Sequence, residues 1–220
     1  MQIKLPEGRR SSRLSVAHLF LWIAVASVLA AASSAALTGE VLRNVVFNSA
    51  AITAALVAIY YAALNSEWVD AHPGHWCAMV VLWAAIDQWL VAPQLTSWVP
   101  GAMVPALSLF FIGAAILFGL GMLIGDWGRA WKVAFAAHAA SFALAATWRI
   151  LQSAGMPNTA EFVRDFAVPP LDGVAVALIV FAVLMDFWWK QLRDWMHWVG
   201  LLWVGYQWYA VVRMYVGSYF

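Results

Sequence analysis

The sequence has few charged residues. Lys and Arg number 12 and Asp and Glu number 11, so charged side chains make up 10% of the 220 residues. Soluble domains carry about 25% charged residues, and a chain this poor in charge must contain long uncharged stretches of the kind that span membranes. The net charge of +1 leaves no basic surface for nucleic acid. These shortages exclude a soluble enzyme fold and argue against a nucleic-acid partner.

Cysteine is also scarce, since Cys77 is the only one in the chain. A single cysteine forms neither a disulfide within the chain nor a cysteine-based metal cluster. Hydrophobic residues, in contrast, make up 65% of the sequence. We therefore expect a fold that is held together by helix packing in lipid.

Seven apolar runs are long enough to cross a bilayer, which takes about 20 residues at 1.5 Å per residue. They are continuous in Ala, Val, Leu and Ile, whereas the strands of a membrane barrel alternate apolar and polar residues. We predict an all-α, polytopic membrane protein with about seven transmembrane helices in a single domain. The runs cover residues 14–37, 45–64, 76–95, 99–125, 130–151, 171–189 and 195–216.

The distribution of basic residues predicts the orientation, because Lys and Arg concentrate on the cytoplasmic side of a membrane protein. With the amino terminus inside, eight basic residues fall on the inner side and four on the outer side. We predict an inner-membrane protein with its amino terminus inside and its carboxyl terminus outside. Residues 1–13 would form a basic inner tail, residues 14–220 the membrane domain, and residues 152–170 an outer segment with a short amphipathic turn at Phe162 and Phe166.

Asp87 is the one carboxylate that this assignment places deep within a span. A charge at that depth costs roughly 2.5–3.5 kcal/mol on insertion scales, so Asp87 needs a partner or a proton. Gln88 and Trp89 follow it directly. We take Asp87, Gln88 and Trp89 as candidate catalytic residues on the buried face next to a partner subunit. The alternative is an acid that only joins helices through hydrogen bonds.

The five histidines are predicted to lie toward one membrane face. His72 and His75 form a short loop pair and are the candidates for a metal site, although no two histidines have the i, i+4 spacing that presents both rings from one helix. The alternative is that all five are interfacial side chains at helix ends. Those five are His18, His72, His75, His138 and His197.

Tryptophan is abundant, with 15 residues in the chain. Many stand at predicted span ends, which is typical of the aromatic belts at membrane surfaces. Trp203 and Tyr206 carry aromatic character to the middle of the last run, which suits a helix that packs on other protein. Glycines in the fourth run, including Gly121 and Gly125, favour close approach of a neighbouring helix.

The order of these landmarks resembles the A subunit of the copper-containing membrane monooxygenases, the family that oxidises ammonia, methane or short hydrocarbons. The similarity is strongest from the third run into the glycine-rich fourth run. The residues that carry it are 17–20 (AHLF), Tyr60-Tyr61, 83–89 (WAAIDQW), 91–93 (VAP), 98–103 (WVPGAM), 116–125 (ILFGLGMLIG), 156–164 (MPNTAEFVR) and 193–195 (RDW).

The resemblance implies a membrane scaffold subunit of a multi-subunit copper enzyme. Partner B and C subunits would supply most of the metal ligands, and three copies of the set would form a trimer of heterotrimers. Copper would then belong to the complex rather than to this chain alone. The carboxyl-terminal quarter departs from the family pattern by one additional span.

Two other classes remain open. One is a seven-helix small-solute carrier, in which tryptophans would stack on a flat substrate and Asp87 or Gln88 would bind it by hydrogen bonds. The other is a rhodopsin-like protein, since Asp87 and Pro93 have the spacing found in the third helix of microbial rhodopsins. Retinal requires a buried lysine for its Schiff base, and residues 195–216 contain none.

Overall fold

A computed structural model of the chain describes residues 16–32, 39–65, 72–87, 103–189, 191 and 193–217. Regular structure within these ranges is entirely helical, which confirms the predicted all-α class. The helices are α1 (Val16–Ala32), α2 (Gly39–Asn65), α3 (Pro73–Ile86), α4 (Met103–Ile124), α5 (Arg129–Ser153), α6 (Pro157–Phe162), α7 (Val168–Trp188) and α8 (Trp195–Gly217), with a π-helical turn at Val163–Ala167.

The seven longer helices fall on the seven apolar runs of the sequence. Two of the helical stretches, Arg129–Ser153 and the continuous run Pro157–Trp188, are long and apolar enough to cross a membrane by length and composition. The second is longer than the predicted run 171–189, because α6 and the π-helical turn extend it toward the amino terminus. A continuous apolar sequence forms a helix whether or not it crosses a membrane, since a helix satisfies its own backbone hydrogen bonds.

Local signals explain where two of these helices begin and end. Pro73 occupies the first position of α3, where its missing N–H costs nothing. Gly155 ends α5 with a φ of 74°, a left-handed conformation that favours glycine. The N–H of Met156 then donates to the carbonyl of Leu151 at 3.0 Å, which satisfies one of the last carbonyls of the helix.

The outer segment contains the helical turn that the aromatic spacing predicts. Phe162 and Phe166 stack with ring centroids 5.4 Å apart, and both rings are exposed. Arg164 and Asp165 form an ion pair beside them, with 2.6 Å between Nε and Oδ1. The placement of this turn at an outer membrane surface stays a prediction.

Helices that are neighbours in sequence pack in pairs. α1 packs on α2, α2 on α3, α3 on α4, α4 on α5, and α5 on α7, as short connections require. The last helix differs, because α8 packs along α3 and α2. Trp203 donates a hydrogen bond to Asn48 at 2.9 Å, and Tyr206 stacks on Phe47 at 4.5 Å. The aromatic middle of α8 is therefore used within the chain.

Two glycines explain how closely α3 and α8 approach. A Cβ added at Gly74 would lie 2.5 Å from the carbonyl carbon of His197, and one added at Gly200 would lie 2.8 Å from the carbonyl carbon of Gly74. Both distances are below the ordinary van der Waals contact of about 3.5–4.0 Å. The two helices thus cross with backbone against backbone, a geometry that only glycine permits here.

Aromatic rings fill the centre of the bundle. Trp76, Trp127 and Trp131 are buried in the core, although their sequence positions predict a membrane belt. Gly121 makes room for part of this packing, since a Cβ there would lie 2.8 Å from the ring of Phe135 and 3.1 Å from that of Trp76. The belt prediction is therefore wrong for these three residues, because glycine leaves space for large rings inside the bundle.

Candidate functional site

The ends of α3, α7 and α8 meet in a group of polar side chains that we call the histidine–aspartate cluster. It joins residues that are more than 100 positions apart in the sequence. Its position is set by the close crossing of α3 and α8 and by the short connection from α7 to α8. The cluster consists of His72, His75, Asp186, Arg193, Asp194 and His197.

Asp194 is the centre of the cluster. Its Oδ1 accepts a hydrogen bond from the backbone N–H of His197 at 2.9 Å, so Asp194 caps the first turn of α8. The His75 ring lies across the helix boundary, with Nε2 2.8 Å from Oδ1 and 2.9 Å from Oδ2. Burial alone would raise the pKa of Asp194, but the hydrogen bonds from His75 and from the His197 backbone outweigh it and lower the pKa to about 2.

Arg193 connects the end of α7 to the start of α3. Its Nε and Nη2 donate to the two oxygens of Asp186 at 2.8 and 2.9 Å, a bidentate arrangement. Its Nη1 donates to Nδ1 of His72 at 3.0 Å. Arg193 and Asp186 are both largely buried, so the ion pair is shielded from solvent.

One ring nitrogen of His197 forms a hydrogen bond, and the other has no hydrogen-bond partner among the described residues. Nδ1 accepts a hydrogen bond from the backbone N–H of Gly74 at 3.0 Å, which leaves the ring hydrogen of the neutral form on Nε2. The side chain is 0% exposed, and Nε2 has no hydrogen-bond partner within the ranges that the structure describes. The ring meets Trp131 nearly edge to face, with centroids 5.6 Å apart.

The structure brings four of the five histidines to one end of the bundle. His72, His75 and His197 belong to the cluster, and His18 packs on Trp195, with ring centroids 5.5 Å apart. His138 lies deeper. It is seven residues beyond Trp131 on α5, about 10 Å along the helix, where Nδ1 donates to the carbonyl of Ala134 at 3.0 Å and the ring packs on Phe118.

The candidate metal residues His72 and His75 use their ring nitrogens for other contacts. Nδ1 of His75 accepts the backbone N–H of His72 at 3.2 Å, and Nε2 faces Asp194. The Arg193 cation lies at Nδ1 of His72. Among the described residues, no group of three or more His, Cys, Asp or Glu side chains is arranged to hold a metal ion. As folded, His75 has no free ring nitrogen for a metal, since a histidine ligand needs one.

Asp87 stands at the carboxyl-terminal end of α3 and is 1% exposed. Its Oδ1 has no hydrogen-bond partner in the described part of the chain. Gln88 and Trp89, the other two candidate catalytic residues, lie outside the described residues. Ile86 and Ala85, which precede Asp87 in sequence, line an open apolar groove of about 410 Å³ between α1, α2 and α3, and Asp87 itself is not among the lining residues. The other lining residues are Ala24, Val25, Val28, Leu29, Ile52 and Leu82.

Sequence reasoning missed the cluster as a unit and missed one half-buried acid. A capping signal is present at Asp194, an acid directly before a long apolar run, but nothing in the sequence shows that His75 faces it. Asp172 was also missed, because an apolar run that begins at residue 171 places this acid at its end. The helical run Pro157–Trp188 places Asp172 near its middle.

No protein-family model, no curated protein and no solved structure matches this chain.

Proposed function

We propose that this chain is a multi-pass integral membrane protein that serves as a scaffold subunit of a larger membrane enzyme. The enzyme class that we propose is a copper-dependent monooxygenase acting on ammonia, methane or a short hydrocarbon, with copper held by partner chains. This identification of the class rests on the sequence resemblance alone. The structure supports two other parts of the proposal, the membrane location and the scaffold role.

The observation that carries the membrane role is the outward surface of α7. Its exposed residues recur every three or four positions, so they form one continuous stripe along the helix. The two acids of α7 point inward, where Asp172 contacts Ser141 and Asp186 pairs with Arg193. Soluble monomers seldom expose an apolar surface of this extent. The exposed large residues are Val174, Val180, Phe181, Leu184, Phe187 and Trp188.

Other helices present similar surfaces. The exposed side of α4 carries Ile112, Ile116 and Leu120, each one turn after the last. Phe20, Ile23 and Val28 lie on the exposed side of α1. Such surfaces are stable in contact with lipid tails and costly in contact with water. Seven transmembrane spans, with the amino terminus inside the cell, are therefore the arrangement that we propose for the seven longer helices.

The histidine–aspartate cluster supports a structural role. Five of its six ionisable side chains contact one another, and the ring of His197 accepts a hydrogen bond from the backbone of Gly74. These contacts hold the start of α3, the end of α7 and the start of α8 together. A catalytic acid or base must instead reach a substrate proton within hydrogen-bond distance. We therefore assign the cluster to the joint between helices and place the chemistry on partner subunits.

Asp87 is the residue that we propose at the contact with a partner subunit. It is buried, yet one carboxylate oxygen lacks a partner within the described residues, and an unpaired buried acid is costly in a membrane. A donor from another chain would complete its hydrogen bonding. Replacing Asp87 with Leu should then reduce recovery of partner chains, whereas Asp87→Asn, which keeps the shape, should retain more of them. Normal assembly and turnover in Asp87→Leu would contradict this role.

The complex itself is tested by purifying the chain from its native membrane in mild detergent. Subunits in the peak are identified by mass spectrometry, and copper is measured in the same fractions. Two stoichiometric partner chains together with copper would support the proposed subunit. A lone chain without copper would overturn the enzyme assignment.

A small-solute carrier is the second candidate, and the open apolar groove between α1, α2 and α3 favours it. Substrate sites are concave and mostly apolar, and this groove has both properties, although Asp87 is not among its lining residues. A carrier should move its solute in liposomes that contain this chain alone. A scaffold subunit should be inactive there and should require its partners.

A further inference from the structure

Asp172 lies near the middle of the longest apolar helical stretch. In the run Pro157–Trp188, 15 residues precede it and 16 follow it. A helix of 32 residues measures about 48 Å, and the hydrocarbon part of a bilayer measures about 30 Å. Within α7, the part of this run that we propose as a span, Asp172 is the fifth of 21 residues, so its depth in the membrane is set by its contact with α5.

Its hydrogen-bond partner comes from the middle of another helix. The hydroxyl of Ser141 donates to Oδ1 of Asp172. Ser141 has 12 residues of α5 on either side of it and is buried. The two residues are therefore at the same depth on the two helices that are long and apolar enough to cross a membrane.

Asp172 belongs to the packed face of its helix. Ala175, Ile179, Ala182 and Asp186 are buried at intervals of three and four residues along α7. Asp172 stands three residues before Ala175 and continues this stripe, which faces α5. Asp172 as a whole residue is half-buried.

The acids of this helical run differ in how they are neutralised. Asp186 is paired with Arg193 and Asp165 with Arg164. Asp172 receives its hydrogen bond from a hydroxyl, which carries no charge. The other titratable or charged groups on the packed elements are Arg129, Lys132, His138 and Arg149 on α5 and Glu161 on α6. His138 is the nearest of them to Ser141 in sequence, one turn away on the same helix.

We propose that Asp172, supported by Ser141, is a protonatable site that takes up and releases a proton inside the membrane-spanning bundle. The proposal rests on the proposed membrane location of α5 and α7. A carboxylate at this depth without a paired cation is costly, and binding a proton removes the cost. The Ser141 hydroxyl stabilises the ionised form by donating a hydrogen bond to it.

The test is labelling of native membranes that contain the full chain with dicyclohexylcarbodiimide. This apolar reagent adds across the O–H of a protonated carboxylic acid, and an acyl shift from oxygen to nitrogen gives a stable adduct with no leaving group. Peptide mapping by mass spectrometry locates the adduct. Near neutral pH, Asp172 should be labelled at least about tenfold more than Asp165, because each pH unit changes the protonated fraction of an ionised acid about tenfold.

The pH dependence and two variants decide the outcome. Labelling of Asp172 should decrease as the pH rises, and Asp172→Asn should abolish the adduct at this position. Ser141→Ala should shift the decrease to higher pH, since it removes a donor that favours the ionised form. A purely structural contact between the helices would leave this profile unchanged.

Three results would overturn the proposal. The first is an unlabelled Asp172 near neutral pH, and the second is labelling that begins only below about pH 5, as for an ordinary carboxyl group. The third is labelling that does not change with pH, because such an acid never releases its proton. Alkaline carbonate extraction of the same membranes tests separately whether the chain is integrated in the membrane. A chain that is extracted contradicts the proposed membrane location, whereas a chain that stays in the membrane with an unlabelled Asp172 contradicts only the proton site.

Discussion

Replacing Gly200 with Ala should separate α3 from α8. The added Cβ would lie 2.8 Å from the carbonyl carbon of Gly74 and 3.2 Å from the backbone nitrogen of Ala78. Backbone atoms cannot rotate away as a side chain can, and the carbonyl oxygen of Gly74 is nearer still, so the helices must move apart by more than about 1 Å to restore contacts of about 3.5–4.0 Å. This movement also lengthens the hydrogen bond from Gly74 to His197, which is 3.0 Å in the native chain.

The expected loss in the free energy of unfolding follows from these contacts. Overpacking costs about 1–3 kcal/mol, and weakening one hydrogen bond adds about 1 kcal/mol. Alanine gains up to about 1 kcal/mol over glycine in a helix. The net expectation is a loss of about 2 kcal/mol in the free energy of unfolding. The matched control is Gly205→Ala in the same helix, where an added Cβ meets no atom of the described residues within 4 Å.

Both variants can be compared by denaturant titration in mild detergent, followed by tryptophan fluorescence. Gly205→Ala should be as stable as the native protein or slightly more stable, and Gly200→Ala should unfold at a lower denaturant concentration. Equal midpoints for the two variants would refute the backbone crossing of α3 and α8.

Three further predictions concern the polar contacts. The pKa of Asp194 is lowered from 3.8 to about 2 in the folded chain, so its contribution of about 2 kcal/mol is present at neutral pH and is lost as the pH falls from about 4 to about 2. Acid titration of unfolding should show this loss in the native protein, and Asp194→Asn should show little of it. Arg193→Gln should lower the free energy of unfolding by about 3 kcal/mol, because it leaves Asp186 buried and unpaired. Thermal unfolding measures this loss, and a loss below about 1 kcal/mol would contradict the buried pair. Arg164→Gln, at the exposed pair with Asp165, should change stability by less than about 1 kcal/mol in the same assay.

The positions of the long helices could be predicted from the sequence, because continuous apolar runs of this length have few alternatives to helix. The contacts of α8 could not be predicted from the sequence. Short connections favour neighbours in sequence, and the packing of α8 on α3 depends on Gly74 and Gly200 meeting across more than 100 residues. No local pattern contains that information.

The site was predictable only in part. Burial of Asp87 and the gathering of histidines at one end follow from where these residues stand in the apolar runs. The role of His75 does not follow from its sequence position, since a histidine close to His72 is equally compatible with a metal ligand and with a partner for Asp194. The contact of Asp172 could not be predicted, because nothing in the sequence shows that Ser141 faces this acid.

Whether α5 crosses the membrane is the most direct question for the proposed function. Gly128 precedes this helix and Ser153 ends it, and both positions are exposed. The natural Cys77 is fully buried and serves as the unreactive background. Gly128→Cys and Ser153→Cys can be treated, in sealed right-side-out vesicles, with a maleimide that does not cross membranes. We predict labelling at position 153 from outside, and labelling at position 128 only after the vesicles are opened. Equal labelling of both positions in sealed vesicles would contradict a membrane-spanning α5.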